Sequence, residues 1–277
     1  MDRREFVIAH SPDSDDAFMF YALATRKLRP RGLKLTHHLE DIQTLNRKAH
    51  EGVYEVTAIS IAAYPYLCSG YRMMSTGASI GDGYGPLVVA SYPWAPEDLK
   101  GKKVAVPGEL TTAFLALRLF QPEIEHIVVP FDRILEAVKD GKADAGLIIH
   151  EGQLTFDRQG LHRVVDLGRW WQEQEQLPLP LGAVAIRRDL GPEMHQEMQK
   201  LVRRSVEYAM EHREEALSYA LQFGRDLDQR LADKFVGMYV NEFTIDMGDR
   251  GRAGIRRMLQ LGQQRGLIPG VAEIDFV

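Results

Sequence analysis

The sequence predicts an α/β fold of two similar lobes that face each other across a cleft. The first observation is a pair of similar segments, Glu51–Ser60 and Gly141–His150, in which a glycine leads to a short buried strand and then to a polar residue. The second is a pair of strand–polar turn–helix units, Phe6–Leu23 and Lys102–Phe120. The third is the length, since 277 residues suffice for two lobes. The spacing of the similar segments is far too long for a solenoid.

The first lobe is predicted to alternate strands and helices. Its strands are Phe6–Ala9, Leu33–Leu39 and the apolar run that ends at Ser60, and its helices are Ala17–Thr25 and Asp41–His50. The turn between the first strand and helix carries three carboxylates, at positions 13, 15 and 16. Asp and Ser are typical of helix N-caps and first turns, so capping is favoured over a metal site, although both interpretations stay open.

The second lobe is predicted to be inserted into the first. It comprises residues 91–183, and the first lobe comprises residues 1–90 and 184–277. The two crossings are expected near Gly81–Ser91, where glycines permit a close backbone approach, and near Leu177–Ile186, where Pro180 and Gly182 favour a bend. Helices are predicted at Pro192–Phe223, Asp228–Val240 and Asp249–Gln264. The polar loop Asn241–Gly248 is expected to reach the cleft.

The cleft has one candidate for proton chemistry and several for anion binding. His150 follows a buried strand, and ligands of open α/β sheets collect at the carboxyl ends of strands. A strand-end histidine that only bonds to a neighbouring loop is the alternative interpretation. Thr111 and Thr112 begin a helix, and Ser11 precedes another, so hydroxyls and unpaired N–H groups would suit a carboxylate or phosphate. Trp170 and Trp171 are interpreted equally well as cleft walls or as core.

Composition excludes several classes of protein. The net charge of −5 gives no broad basic surface, which argues against nucleic acid as a partner. Cys68 is the single cysteine, so an intrachain disulfide is excluded, and no Cys/His cluster has zinc-ligand spacing. No apolar run has the length of a membrane span, and the start of the chain lacks the features of a secretory signal. We therefore expect a cytoplasmic protein with no membrane partner.

Several motifs are distributed through nearly the whole chain. They are S-P-x…D-x-F at Ser11–Phe18, E-D-I-Q-T-L-N at Glu40–Asn46, G-P-L-V-V-A at Gly85–Ala90, V-A-V-P-G-x-x-T-T-A at Val104–Ala113, G-L-I-I-H-E at Gly146–Glu151, V-V-D-L-G-x-W-W at Val164–Trp171, L-P-L-P-L-G-A at Leu177–Ala183, R-R-S-V-x-Y-A at Arg203–Ala209 and Y-V-N-x-F-x-x-D-x-G at Tyr239–Gly248. Together and in this order, they resemble the 1,4-dihydroxy-6-naphthoate synthase family of the futalosine route to menaquinone. The resemblance implies a two-lobed fold like that of type II periplasmic binding proteins.

The resemblance also implies a function. The expected substrate is cyclic dehypoxanthinyl futalosine, a small-molecule carboxylate, and the expected products are 1,4-dihydroxy-6-naphthoate and a dihydroxyacetone-like fragment. His150 would be the general base, since a neutral imidazole accepts a proton near neutral pH. The expected substrate-binding residues are Ser11, Asp16, Asp41, Ser60, Thr111, Thr112 and Gly182. No cofactor and no metal are expected.

One turn departs from the family pattern. It has the sequence S-P-D-S-D-D-A-F at Ser11–Phe18, where better-known members have turns similar to S-P-C-P-N-D-T-F. Chorismate dehydratases share the architecture and are the alternative enzyme, and a cytoplasmic solute-binding or sensor module is the alternative without catalysis. The sequence leaves open whether the chain forms a homodimer.

Overall fold

The computed structural model describes residues 4–224, 228–271 and 273–277, with the backbone alone at position 4. The first three residues lie outside this range. The expectation that the chain lacks a secretory signal rests partly on them. Within the described part of the chain, no helix is long and apolar enough to cross a membrane.

The strands and helices alternate through the first two thirds of the chain, and helices predominate in the last third. The strands are β1 (Arg4–His10), β2 (Leu33–Leu39), β3 (Val56–Ser60), β4 (Tyr71–Met73), β5 (Ser79–Gly81), β6 (Leu87–Ala90), β7 (Lys103–Val106), β8 (Glu125–Val128), β9 (Ala145–Ile148), β10 (His162–Asp166) and β11 (Leu179–Arg187). The α-helices are α1 (Ser14–Met19), α2 (Tyr21–Ala24), α3 (Ile42–His50), α4 (Tyr64–Leu67), α5 (Thr112–Phe120), α6 (Ile134–Lys139), α7 (Leu167–Glu175), α8 (Pro192–Glu211), α9 (Arg213–Ala220), α10 (Gln229–Tyr239), α11 (Glu242–Ile245) and α12 (Gly248–Gln264).

The strands form two sheets, one in each lobe, which confirms the predicted α/β fold. The first sheet has the order β2-β1-β3-β11-β4, and β5 also pairs with β11. The second has the order β10-β6-β9-β7-β8. Strands β3 and β9 are internal to their sheets. Each follows a helix and a glycine with positive φ, Gly52 at +70° and Gly141 at +69°, as the paired segments predict. The two strands therefore deliver Ser60 and His150 from corresponding places in the two lobes.

The crossings between the lobes lie before the limits that the sequence predicts. Strand β6 pairs with β9 and β10 in the second sheet, whereas β11 pairs with β3 along Val56–Ser60 in the first. The chain thus leaves the first lobe at 82–86 rather than at 90, and it is back in the first sheet from Leu179 rather than from 184. The crossings pack closely, because a Cβ on Gly85 would lie 2.8 Å from Cδ2 of Leu179.

The C-terminal helices differ in two places from the prediction. The helix predicted from Pro192 ends at Glu211, because His212 leaves helical geometry with φ −111° and ψ 46°. The loop expected at Asn241–Gly248 contains α11, and Asn241 caps it by accepting a hydrogen bond from the N–H of Phe243. Helix α8 packs on the first lobe, where Met198, Val202 and Val206 join the core of β1 and β3.

Candidate functional site

A cavity of about 700 Å³, including its open mouth, lies where the two lobes meet. Both lobes contribute to its wall, as expected for a cleft between α/β lobes. Its lining residues are Ser11, Asp13, Asp15, Asp16, Ile42, Ala58, Ile59, Ser60, Gly77, Ser79, Pro86, Thr111, Thr112, Ala113, Ile149, Leu181, Gly182, Ala183 and Tyr239. The wall is mostly apolar with a few polar groups, which is typical of a site for a small organic molecule.

The start of α5 provides hydrogen-bond donors to the cavity. Thr111 caps the helix: its Oγ1 accepts from the N–H of Phe114 and donates to the carbonyl of Gly108 at 2.8 Å. The hydroxyl of Thr112 donates to the carbonyl of Leu181 at 2.6 Å. Both hydroxyl protons are therefore committed to the main chain. The N–H groups of Thr112 and Ala113 have no acceptor among the described residues, so they are the donors this helix offers to an anion.

Ser60 is the hydroxyl that is positioned for a ligand. It lies at the end of β3, where its N–H donates to Asn46 Oδ1 at 2.8 Å and its Oγ accepts from Asn46 Nδ2 at 3.0 Å. Asn46 is fully buried on α3, so the amide fixes both contacts. Because the Oγ is already an acceptor, its remaining O–H can donate into the cavity.

The turn before α1 contributes a negatively charged wall. Asp16 Oδ2 accepts from the N–H of Ser11 at 2.7 Å, and Asp13 Oδ2 accepts from the Ser11 hydroxyl at 3.1 Å. Burial raises the pKa of Asp16 to about 6, although the hydrogen bonds from Ser11 act in the other direction. Burial, and then the charges of Asp16, Asp13 and Glu151, raise the pKa of Asp15 well above its ordinary value. The pKa of Asp16 is thus close to physiological pH.

His150 lies beside the cavity rather than in its wall, and the lining residue of that strand end is Ile149. The imidazole is buried and engaged with the main chain on both sides. Its Nδ1 accepts from the N–H of Gly152 at 2.9 Å, so Nε2 carries the proton and donates to the carbonyl of Phe131 at 2.9 Å. A Cβ at position 152 would lie 2.7 Å from His150 Cε1, so the ring packs on the glycine. The neutral tautomer is therefore well defined, with its lone pair on Nδ1.

The residues after His150 connect the two lobes. Glu151 and Gln153 belong to a short 3₁₀ helix (Glu151–Leu154), and both are buried. Glu151 Oε1 accepts from the hydroxyl of Ser14 at 2.8 Å, and Gln153 Oε1 accepts from the hydroxyl of Tyr239 at 2.9 Å. Ser14 and Tyr239 belong to the first lobe. The cleft is consequently closed on the side of His150.

Known proteins are similar to this chain over most of its length. The family model described as menaquinone biosynthesis matches residues 6–264. The chain belongs to this family. The 1,4-dihydroxy-6-naphthoate synthase of Thermus thermophilus is 43% identical over 260 residues, which cover 94% of each chain. The synthase of that name from Streptomyces coelicolor is 38% identical over 270 residues, or 95% of each chain. The chain is therefore an enzyme of menaquinone biosynthesis.

Two solved structures have folds similar to that of this chain. Protein AF1704 from Archaeoglobus fulgidus has 48% identity and a TM-score of 0.92, with coverage of 95% of this chain and 98% of that one. The alkanesulfonate-binding protein SsuA from Xanthomonas axonopodis has 11% identity and a TM-score of 0.71, with coverage of 97% and 96%. The second likeness concerns the fold alone, and it confirms the expected architecture of periplasmic binding proteins.

The structure gathers most of the predicted site residues of this menaquinone-biosynthesis enzyme. Those in the cavity wall are Ser11, Asp16, Ser60, Thr111, Thr112 and Gly182. Asp41 is not in the wall, because its two oxygens accept from the N–H and the hydroxyl of Thr44 and so cap α3. Trp171 is a core residue whose Nε1 donates to the carbonyl of Pro178. Within the described residues, no group of three or more His, Cys, Asp or Glu side chains is arranged to hold a metal ion.

Three residues of this site were missed by the sequence analysis. Asn46 lies within the quoted E-D-I-Q-T-L-N motif, and its buried place on the inner face of α3 was the signal that could have identified it. Ser79 and Tyr239 line the cavity from β5 and α10. Tyr239 begins the motif Y-V-N-x-F-x-x-D-x-G, and nothing local marks Ser79. The approach of both residues to the cavity depends on how β5 and α10 pack on the first sheet.

The raised pKa of Asp16 predicts a pH-dependent stability. Folding raises this pKa from about 4 to about 6, so ionisation of Asp16 costs stability as the pH rises through that window. Asp16→Asn keeps an acceptor for Ser11 and removes the charge. The variant should be more stable than the wild type by about 1–3 kcal/mol above pH 6, with the difference vanishing near pH 4.

Urea unfolding from about pH 4 to 7.5 measures this difference. Burial lowers the pKa of the neighbouring His10 to about 4, which makes the protein less stable as the pH falls below about 6.5. That contribution is common to both proteins and cancels in the comparison. A stability difference that stays constant over this range would show that Asp16 is not the titrating group.

Proposed function

We propose that this enzyme converts cyclic dehypoxanthinyl futalosine to 1,4-dihydroxy-6-naphthoate and releases a dihydroxyacetone-like fragment. The observation that carries the proposal is the similarity to two proteins named 1,4-dihydroxy-6-naphthoate synthase, which spans 94–95% of the chain. The largely apolar wall of the cavity suits a small molecule with an aromatic ring.

The charges of the wall orient the proposed substrate. Its aromatic carboxylate would bind at the N–H groups of Thr112 and Ala113 and at the hydroxyl of Ser60. The carboxyls of Asp13, Asp15 and Asp16 would repel that anion and accept hydrogen bonds from hydroxyl groups. The hydroxylated fragment of the substrate would accordingly lie at the acidic turn. A Cβ on Gly182 would lie 3.2 Å from the carbonyl oxygen of Ile59, so this part of the wall has no room for a larger side chain.

The proton acceptor in this proposal is His150 through Nδ1. That nitrogen holds the lone pair, and the bond from Gly152 N–H must open before a substrate proton can reach it. Loss of the substrate proton would initiate cleavage of the bond to the sugar-derived fragment, and formation of the aromatic ring would drive the reaction. The supporting observations are the position of His150 at the end of β9, one residue beyond the lining Ile149, and its defined tautomer.

Incubation of the purified enzyme with cyclic dehypoxanthinyl futalosine, followed by mass spectrometry, tests the proposal. The expected result is 1,4-dihydroxy-6-naphthoate together with the three-carbon fragment. A parallel incubation with chorismate tests for dehydratase activity. Turnover of chorismate alone would assign the alternative reaction, and tight binding of the futalosine derivative without a product would assign a binding module.

A further inference from the structure

Glu151 is a buried carboxylate that has no role in the reaction proposed above. Its side chain is 1% exposed. Its Oε1 accepts two hydrogen bonds from Ser14 across the cleft, from the N–H at 3.2 Å and from the hydroxyl at 2.8 Å. Ser14 is the first residue of α1, so the carboxylate of one lobe caps a helix of the other. This contact joins the two lobes on the side of His150.

The second oxygen of Glu151 has no hydrogen-bond partner among the described residues. Leaving a buried carboxylate oxygen without a donor is unfavourable. Glu151 Oε2 lies 4.0 Å from His150 Nδ1, the atom that would receive the substrate proton. In the neutral ring this nitrogen has no proton to offer, and the protonated ring has one. The unpaired oxygen thus lies where an imidazolium N–H would need an acceptor.

We propose that Glu151, held by Ser14 of the opposite lobe, is the positioning residue that supplies the counter-charge for the His150 imidazolium. This inference rests on the proposed role of His150 as base. The substrate proton replaces the Gly152 N–H at Nδ1, and the bonding electron pair stays on the substrate. Nδ1–H then donates to Glu151 Oε2 once the two atoms move from 4.0 Å to hydrogen-bond distance, while Nε2–H keeps the carbonyl of Phe131. Closure of the lobes thereby couples to the basicity of the imidazole.

Other charged groups also lie around His150 and Glu151. Asp15, with Asp13 and Asp16 beside it, approaches Glu151 from the first lobe, since the charge of Glu151 contributes to the raised pKa of Asp15. Asp132 and Arg133 follow Phe131 on the outer side, and Arg133 is paired with Glu136 at 2.6 Å. The acidic turn adds negative potential in the same direction as Glu151, so a test has to separate the two sources.

The deciding measurement is the titration of the His150 ring by NMR in the wild type and in Glu151→Gln, without substrate. The signal is assigned by its absence in His150→Asn. Gln keeps an acceptor for Ser14 and removes the charge, so the imidazole midpoint should fall by about 1–3 pH units. Following the ring itself keeps the titrations of Asp15 and Asp16 separate. Glu151→Asp keeps the charge and should give a midpoint closer to that of the wild type.

Kinetics provide the second readout. In Glu151→Gln, kcat should fall by about 10–100-fold with little change in KM, and the acidic limb of the pH–rate profile should move to lower pH. Tyr239→Phe is the matched control, because it removes an interlobe hydrogen bond to Gln153 of the same 3₁₀ helix without removing a charge. The acidic limb of the pH–rate profile of Tyr239→Phe should stay at the wild-type position.

The outcomes distinguish this inference from the proposed function. An unchanged His150 midpoint in Glu151→Gln overturns the inference, whatever the activity. A lowered midpoint in a protein that forms no product supports the counter-charge and refutes the proposed reaction. If Glu151→Gln does not fold, Ser14→Ala serves instead, because it removes one of the two bonds that hold the carboxylate. A His150 midpoint below that of the wild type then supports the inference, and an unchanged His150 midpoint overturns it.

Discussion

Replacing His150 by Asn is expected to lower turnover by about 10²–10⁴-fold while KM changes little. Asn suits the structure, because its side-chain oxygen can accept the Gly152 N–H that Nδ1 accepts now and so keep the cap of the 3₁₀ helix. What the variant lacks is a base at neutral pH. The measurement is steady-state formation of the naphthoate product, with circular dichroism to verify the fold.

The chain offers a matched control in His195. It is also a buried histidine that bonds to the main chain, since its Nε2 lies 2.8 Å from the carbonyl of Arg187. It is not among the residues that line the cavity. His195→Asn should lower the melting temperature and leave the activity of each folded molecule unchanged. If His150→Asn instead behaves like this control, the proton acceptor is a carboxyl of the acidic turn, and Asp16 with its pKa of about 6 becomes the first choice.

The sequence predicts the alternation of strands and helices well because local signals set it. Asp41 and Asp228 cap α3 and α10 by accepting main-chain N–H bonds, as Asp before an apolar helix indicates. Apolar runs such as β9 are buried on both faces. The pattern does not say which sheet an apolar run joins. For that reason the lobe limits at 90 and 184 differ by a few residues from the strand pairing, which puts all of β6 in the second sheet and all of β11 in the first. Strand pairing is a long-range property that such runs do not encode individually.

The candidate site is predicted less completely than the fold. Strand ends and helix starts identify Ser60, Thr111 and Thr112, since such positions converge at a cleft in α/β proteins. The sequence does not show what each hydroxyl bonds to. The Thr112 hydroxyl donates to Leu181 in the closed cleft, and the donors left for a ligand are main-chain N–H groups. Whether His150 faces the cavity depends on the helical turn after it, which places Gly152 against the ring.

The proposed carboxylate site at the start of α5 predicts a second large effect, a loss of affinity for aromatic anions. Ser60→Ala is expected to weaken the binding of an aromatic carboxylate by about 10–100-fold, because a hydrogen bond to a charged group contributes about 1.5–3 kcal/mol. Benzoate and benzamide form a matched pair of probes with the same ring and different charge. The wild type should prefer benzoate, and the variant should lose most of that preference in calorimetric titrations.

Asn46→Asp tests the same site from behind Ser60. Asn46 Nδ2 donates to Ser60 Oγ, which leaves the hydroxyl proton for the ligand. An Asp side chain would accept that proton instead and would add a negative charge near the bound anion, while it still accepts from the N–H of Ser60. Asn46→Asp should therefore weaken benzoate binding at least as much as Ser60→Ala, with a smaller effect on benzamide. Wild-type affinity for benzoate in either folded variant would mean that the carboxylate binds elsewhere in the cavity, away from the start of α5.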